Sequence, residues 1–481
     1  MSRSRSDFQR SLFSLGMTGL ALVVLPFACQ ADGAPEEITV ATGALTSIRL
    51  AGHVATGQIG VPAVTVQLNG QSQATALTDA DGNFKFDISA GSYSLFFSKS
   101  GATFNGPFNL NNLTTSTFVN ATCNSGCSAP SDVIPARELV ITDPLVVGDP
   151  RSDNATTGRW SFRFLMQQMS STNDETNMTI GWMDSQLAHG GTVNNFTVDP
   201  RDTSKLNWPI QFGTLNWANC PFHLKAIVNR TDLHSTGAGE LRFVYGTDAS
   251  MTVIFEYKLP PTRTRQGWVS QFHGLSNLTP GSSAYNAALQ AITDQVVVKG
   301  ALAGGPNGGS AISQVRVNEI QINTATSPNW QLREFHLQNG GILVLSQTAQ
   351  TPDDSAITSG TTNNATLASF INGNIVNLQG GFATVPSGIV GGQSSEADSW
   401  THFSVAVDSN ARHAFAGQTC SGCHFSEING LNTGGFYHIS PSGQLSPFIT
   451  AVEIPRRAIF AKNQLTCQGS GCAVGAEPMV P

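Results

Sequence analysis

A mostly β chain is predicted by three observations: short alternating runs separated by turns between Ile48 and Leu113, a second series of strand-like runs between residues 139 and 345, and few stretches with a helical period. Val64-Thr65-Val66-Gln67-Leu68 alternates apolar and polar side chains with period two, which half-buries a strand. Thr78-Asp79-Ala80-Asp81-Gly82-Asn83-Phe84-Lys85-Phe86 places an Asp-Gly turn directly before an aromatic alternation, a hairpin signal because glycine tolerates positive φ. Ala90-Gly91-Ser92-Tyr93-Ser94-Leu95-Phe96 repeats the turn and then the alternation. Strands at this spacing predict an N-terminal antiparallel β-sandwich over 36–119. Asp79 and Asp81 read as turn chemistry, since a calcium loop of the EF type would need more ligands and a distal Glu.

The next segment, 120–136, reads as a linker stapled by Cys123 and Cys127. Beyond it a larger β-rich α+β domain is expected over 137–400, followed by a distinct segment over 401–481. Its strand-like runs are Leu139–Ile141, Glu240–Tyr245, Val253–Leu259, Val315–Ile322, Trp330–Leu337 and Ile342–Leu345. Helical spacing is best in Ser283–Val297, where Tyr285, Ala288, Leu289, Ile292 and Val296 recur at three- and four-residue steps. Asn364–Val376 and Asp408–Cys423 are the other helix candidates.

Residues 1–31 read as a secretory signal: Arg3, Arg5 and Arg10 precede an apolar run from Leu12 to Phe27 that is too short to span a bilayer, and small residues follow. Cleavage after Ala31 is expected, and lipidation at Cys29 is the other option, although Pro26-Phe27-Ala28-Cys29 is a poor lipobox. Membrane attachment is expected only through such a lipid, because no other segment approaches the length of a spanning helix. The formal charge of −7 moves to −9 when residues 1–31, with three arginines and Asp7, are removed. An acidic balance of this kind argues against nucleic acid and anionic lipid surfaces as partners.

Several strand runs are unusually polar: Asn229-Arg230-Thr231-Asp232-Leu233-His234, Glu240-Leu241-Arg242, Arg316-Val317-Asn318-Glu319 and Leu332-Arg333-Glu334-Phe335-His336. On a strand Glu240 and Arg242 share a face, as do Arg333 with Phe335 and Glu334 with His336. Two readings stand side by side: a polar pocket gathered on one face, or solvent-facing ion pairs across neighbouring strands. No H-E-x-x-H, G-x-S-x-G or Gly-rich phosphate loop is present, so a hydrolase reading lacks a nucleophile arrangement.

The pentapeptide Cys420-Ser421-Gly422-Cys423-His424 carries the chemistry. C-x-x-C-H is the attachment signature of a c-type haem, in which two thiols add to the porphyrin vinyls and the next residue ligates the iron. Export by a signal segment suits this chemistry, since haem is attached covalently outside the cytoplasm. Cys420 and Cys423 are therefore expected as thioether positions of one covalent haem c and His424 as its proximal ligand. Cys123 with Cys127, and Cys467 with Cys472, are close enough for local disulfides, which leaves Cys220 alone.

Two resemblances add to these readings. Gly52-His53-Val54, Gly60-Val61-Pro62-Ala63-Val64-Thr65-Val66, Thr78-Asp79-Ala80-Asp81-Gly82-Asn83-Phe84 and Ala90-Gly91-Ser92-Tyr93 resemble successive motifs of the carboxypeptidase regulatory-like domain, a transthyretin-like sandwich. That resemblance implies a spacer, stabiliser or adhesion unit without chemistry of its own. Ala411-Arg412-His413-Ala414-Phe415-Ala416-Gly417-Gln418-Thr419 running into Cys420–His424 is similar to the first helix and haem motif of a class I cytochrome c.

Beyond His424 the chain departs from that family, whose distal Met lies in a loop followed by a closing helix. Met479 is too close to the end of the sequence for such a loop. His438 in Phe436-Tyr437-His438-Ile439 is the better second iron ligand, with His413 and His402 behind it. The expected function is electron transfer or a haem-assisted redox role in a periplasmic or secreted protein, with the redox partner or substrate unspecified and enzyme activity left open. The alternative is a secreted binding or adhesion protein in which Cys420 and Cys423 form a disulfide, or join His424 and Cys220 or His438 in a zinc site.

Overall fold

The period-two runs of the N-terminal region close into two packed sheets. The computed structural model describes residues 47–466, apart from 57–58, 62–63, 79–81, 128–132, 154–156, 172–173, 188–190, 201–205, 234–236, 249–250, 322–328, 359, 381–382, 396–399, 401–402 and 425–436. The sandwich strands are β1 (Ile48–Thr56), β2 (Ile59–Gly60), β3 (Thr65–Gly70), β4 (Ala74–Leu77), β5 (Asn83–Ile88), β6 (Gly91–Ser98), β7 (Thr103–Phe104), β8 (Phe108–Leu113) and β9 (Thr117–Ser125). One sheet has the order β2-β1-β9-β7 with β5 on β1, and the other has the order β4-β3-β6-β8. Val66 and Leu68, Phe84 and Phe86, and Tyr93 and Leu95 point inward into a common core, as the alternation requires.

Two features of this region differ from expectation. The sandwich is not wholly antiparallel, because β1 and β9 run parallel. The chain crosses to the other sheet and back between them, and such a crossover lets a strand return in the same direction. Residues 120–125, expected in a linker, are the second half of β9, and a Cys123–Cys127 disulfide fastens its end. The turn at Asp79 and Asp81, the signal segment with Cys29, and Cys467 with Cys472 lie outside the described residues.

The larger part is built on one antiparallel sheet. Its strands are β10 (Val140–Ile141), β13 (His223–Arg230), β14 (Glu240–Gly246), β15 (Met251–Lys258), β16 (Ile312–Gln321), β17 (Asn329–Gln338) and β18 (Ile342–Leu345) in that order, with β19 (Gln393–Ser395) added to β17. A separate hairpin pairs β11 (Thr192–Val193) with β12 (Phe196–Thr197). Mostly β with an α+β second part is the architecture observed. Five of the six expected strand runs become strands to within a few residues, and the sixth, Leu139–Ile141, becomes the short β10. Strand β13 had not been expected, because Lys225, Asn229 and Arg230 break its apolar run.

One face of this sheet presents Leu241, Phe243 and Tyr245 of β14, Val253, Phe255 and Tyr257 of β15, and Val315 and Val317 of β16. Three helices cover it: Phe162–Met169, Glu175–Leu187 and Ser283–Val297. The last has the bounds its periodicity predicts; the Ser282 side chain accepts from the Tyr285 amide at its start, and Tyr285, Leu289, Ile292 and Val296 form its buried stripe.

The other face carries Ala226, Val228, Val244 and Ile254, with charged residues further along the strands. It is covered by the C-terminal segment, whose helix Ile454–Thr466 contributes Ala458, Phe460 and Ala461 to the same cluster. No closing helix had been expected after His424. This one is present and rests on the sheet. The described residues from 47 to 466 group in one compact unit. Among the described residues no helix is long and apolar enough to cross a membrane.

Candidate cofactor site

The C-x-x-C-H turn is shaped by its own side chains. Helix Ser409–Ala416 starts at Asp408, whose carboxylate accepts from the Ala411 amide, and ends at Gly417. Thr419 then starts a new turn: its hydroxyl donates to the Ala416 carbonyl at 2.8 Å and accepts from the Gly422 amide at 3.1 Å. The single helix expected over Asp408–Cys423 is thus two pieces, Ser409–Ala416 and Cys420–Cys423. Phe415 packs edge-on to Trp400 and Phe370, anchoring the first piece in a small helical core with Leu367 and Ile371.

Gly422 allows the close approach of the two pieces. A Cβ there would stand 1.9 Å from the Ala416 carbonyl oxygen, which belongs to the backbone and cannot swing aside. Gly422→Ala is therefore expected to destabilise the fold by about 1–3 kcal/mol. Thermal unfolding checks this, and an unchanged midpoint would contradict it.

Both thiols of the motif are buried and unbonded, and His424 follows them on the same turn. The His424 ring stacks on Trp330 of β17 with centroids 4.3 Å apart and planes 24° from parallel. His438 arrives from the C-terminal segment. Its ring centroid is 4.3 Å from that of His424, its Nε2 is 3.3 Å from Cys423 Sγ and its Nδ1 is 3.4 Å from Ser446 Oγ. The four residues singled out by sequence, Cys420, Cys423, His424 and His438, therefore meet in one place. The two imidazoles touch each other, so they would have to part to ligate one iron from opposite sides. His413 lies on the preceding helix, half-buried; His402 and Met479 lie outside the described residues.

Cys420, His424 and His438 line one cavity against the charged face of the large sheet, together with Arg230, Arg242, Glu256, Arg316 and Asn318. Of the two readings of the polar strand clusters, the buried one matches the geometry. Arg242 lies opposite Glu256 across β14 and β15, and Arg316 lies opposite Glu334 across β16 and β17. Guanidinium and carboxylate alternate across the sheet: Arg242 is 2.8 Å from Glu240 and 3.2 Å from Glu256, and Arg316 is 3.6 Å from Glu256 and 3.2 Å from Glu334. Arg333 does not join them. It is one residue from Glu334 and points to the opposite face, where it donates to Gln331.

A second cluster adjoins the cavity. Glu453 sits in a wide π turn, Ile449–Glu453, that leads into the C-terminal helix. Arg457 and Arg456 of that helix lie 2.7 and 3.2 Å from it, Arg230 of β13 lies 4.0 Å away, and Asp232 bridges Arg230 and Arg456. Burial pushes the Glu453 carboxyl up, but Arg456, Arg457 and Arg230 outweigh it and hold the group well below its usual range. Asp232 and Glu334 are held low in the same sense, by Arg230 and by Arg316 respectively, each against its own burial. Depressed carboxyls stabilise the fold above their ordinary values of 3.8 and 4.5, and that stability is lost as pH falls toward the folded-state values. The protein is thus expected to lose stability steadily below about pH 4.5. Urea unfolding at stepped pH measures it, and a flat profile from pH 6 to 3 would sink the expectation.

Protonation decides what the thiols can do. Burial pushes the Cys420 thiol up against the pull of Arg316, and it pushes Cys423 well above the ordinary thiol range, with Glu453 adding to the effect. Burial, then His424, pushes His438 well below the ordinary imidazole range. Cys423 and His438 therefore meet as neutral thiol and neutral imidazole, the opposite of an activated nucleophile pair. Cys220 packs against the core on the other face of the sheet, its thiol pushed up to about 12 by burial. Among the described residues no group of three or more His, Cys, Asp and Glu side chains is placed to hold a metal ion.

The residues fit a covalent haem in their donor set: two unbonded thiols and an adjoining imidazole on one turn, and a second imidazole in the same cavity. Two buried acceptors lining the cavity, the Asn318 side-chain oxygen and Glu256 Oε1, have no hydrogen-bond partner among the described residues. Such an atom costs about 1–3 kcal/mol unless a donor meets it. Sequence alone does not reveal these orphans, because their signal lies in the surroundings of Asn318 and Glu256.

No family model and no curated relative matches the chain. Among solved structures it is similar to a DUF3823 family protein from Parabacteroides merdae ATCC 43184, with 23% identity over 16% of this chain and 45% of the other, at a TM-score of 0.13. The chain thus spans under half of that protein.

Proposed function

We propose that the chain is a periplasmic or secreted redox protein carrying one covalently attached haem c, with a carboxypeptidase regulatory-like sandwich as its N-terminal spacer. The observation that carries this reading is the meeting of Cys420, Cys423, His424 and His438 in one place, with neither thiol in a disulfide. When bound, the haem supplies an iron that takes up and releases single electrons. Cys420 and Cys423 would tether it and His424 would ligate it. The stacked Trp330 indole fixes the His424 ring plane. Lys and Arg on an exposed docking patch are not needed for this reading, and the partner is left as an unidentified redox protein or small molecule.

Expression in a periplasm equipped for cytochrome c maturation tests the proposal. A Soret band that stays with the protein through acid-acetone extraction is expected, and protein without it would overturn the haem reading. His438→Ala is expected to turn a low-spin spectrum high-spin; an unchanged spectrum removes His438 as the second ligand.

A further inference from the structure

The sandwich has two outer faces of different character. On one sheet Arg49 of β1 and Lys85 and Asp87 of β5 point outward, with Arg49 and Asp87 paired at 3.0 Å. The rest of the chain docks on that sheet: Arg49 Nη1 donates to Asn377 Oδ1 at 2.8 Å, and helix Ile375–Gln379 packs against β1 and β9. The other sheet, β4-β3-β6-β8, has no charged residue in any of its strands.

Its outward positions alternate with the buried Val66, Leu68, Tyr93 and Leu95. Phe96 stands there 41% exposed, opposite Gln67, which is in turn opposite Thr75. Leu77, 46% exposed, lies two strands away, opposite Thr65. Two strand spacings set these apolar side chains about 10 Å apart, with hydroxyl and amide side chains between them. In the next row Asn69, Ser94 and Asn109 lie side by side, and the Ser94 hydroxyl donates to Asn109 Oδ1 at 2.7 Å.

A lone exposed apolar side chain is ordinary. A charge-free face that holds two of them among amides and hydroxyls is selective. Nucleic acids, anionic lipids and acidic glycans need cations, and a protein partner needs a contiguous apolar centre. A neutral sugar chain needs what this face offers: a ring for the C–H side of a pyranose, and groups that both donate and accept for its hydroxyls. We propose that the β4-β3-β6-β8 face binds a neutral polysaccharide, with Phe96 stacked on a sugar ring and Gln67, Asn69 and Asn109 hydrogen-bonded to sugar hydroxyls. This gives the sandwich a role beyond spacing, and it is independent of the haem reading.

The test is native electrophoresis of the full chain through gels containing hydroxyethylcellulose, xylan, amylose or galactomannan, with alginate as the acidic control. Migration is expected to slow in at least one neutral gel and to stay unchanged in alginate. Phe96→Ala is expected to weaken that retention about tenfold, with little change in the thermal midpoint because the ring is exposed. Phe96→Trp keeps the retention, and Lys85→Ala on the opposite face leaves it as it was. A chain slowed by none of the neutral polysaccharides, or by alginate alone, overturns the proposal, and so does equal retention of Phe96→Ala. If Phe96→Ala does not fold, Gln67→Ala decides: severalfold weaker retention is expected, and unchanged retention overturns the assignment.

Discussion

Glu453→Ala lowers the unfolding free energy by about 3–5 kcal/mol, because it leaves buried guanidinia without their main counter-charge. Glu453 is buried beneath Arg230, Arg456 and Arg457, and Asp232 alone would remain to face the first two. The loss is larger than for an exposed ion pair, where water replaces the missing partner at little cost. The midpoint of urea unfolding should fall with little change in slope, the signature of a stability change rather than a change in compactness. A loss below about 1 kcal/mol would mean that these arginines reach solvent or other partners. The cluster joins β13 to the C-terminal helix, so the variant is also expected to loosen the lid over the cavity.

Replacing Cys420 and Cys423 together by Ala abolishes haem that resists acid-acetone, since both thioether positions are gone. Either single variant keeps one thioether, and Cys220→Ala leaves attachment unchanged because that thiol lies across the sheet. Haem retained by the double variant would disprove attachment at this motif. Fold is expected to survive, since each substitution removes one sulfur from a turn held by Thr419, Gly422 and the Thr351 hydroxyl that accepts from the Cys420 amide.

Local pattern was enough where one face of an element is apolar and the other is not. Val64–Leu68 and Ser283–Val297 are legible for that reason, and so are most runs of the large sheet. Strand β13 escaped because its polar residues, Asn229 and Arg230, are buried against other parts of the chain, which no periodicity reports. The C-terminal helix escaped for a related reason: Arg456 and Arg457 look like solvent-facing positions and are instead buried on Glu453. The break at Gly417 depends on the Thr419 hydroxyl bonding backward and forward, a choice that a helical period cannot express.

By itself the sequence determined the β-rich order of elements, the sandwich before the larger sheet, and the four residues of the candidate site. Each is a matter of neighbours along the chain: alternation, turn residues, and two cysteines and a histidine at fixed spacing. Only the tertiary structure decided that Arg242, Glu256 and Arg316 face a cavity, and that Glu240 and Glu334 are buried beside them, rather than facing water. Strand alternation shows which side chains share a face but not what covers that face, and here the cover is the C-x-x-C-H turn and a segment some two hundred residues downstream of β14. That covering turns ordinary strand charges into a buried network, and it brings His438 to Cys423 and His424.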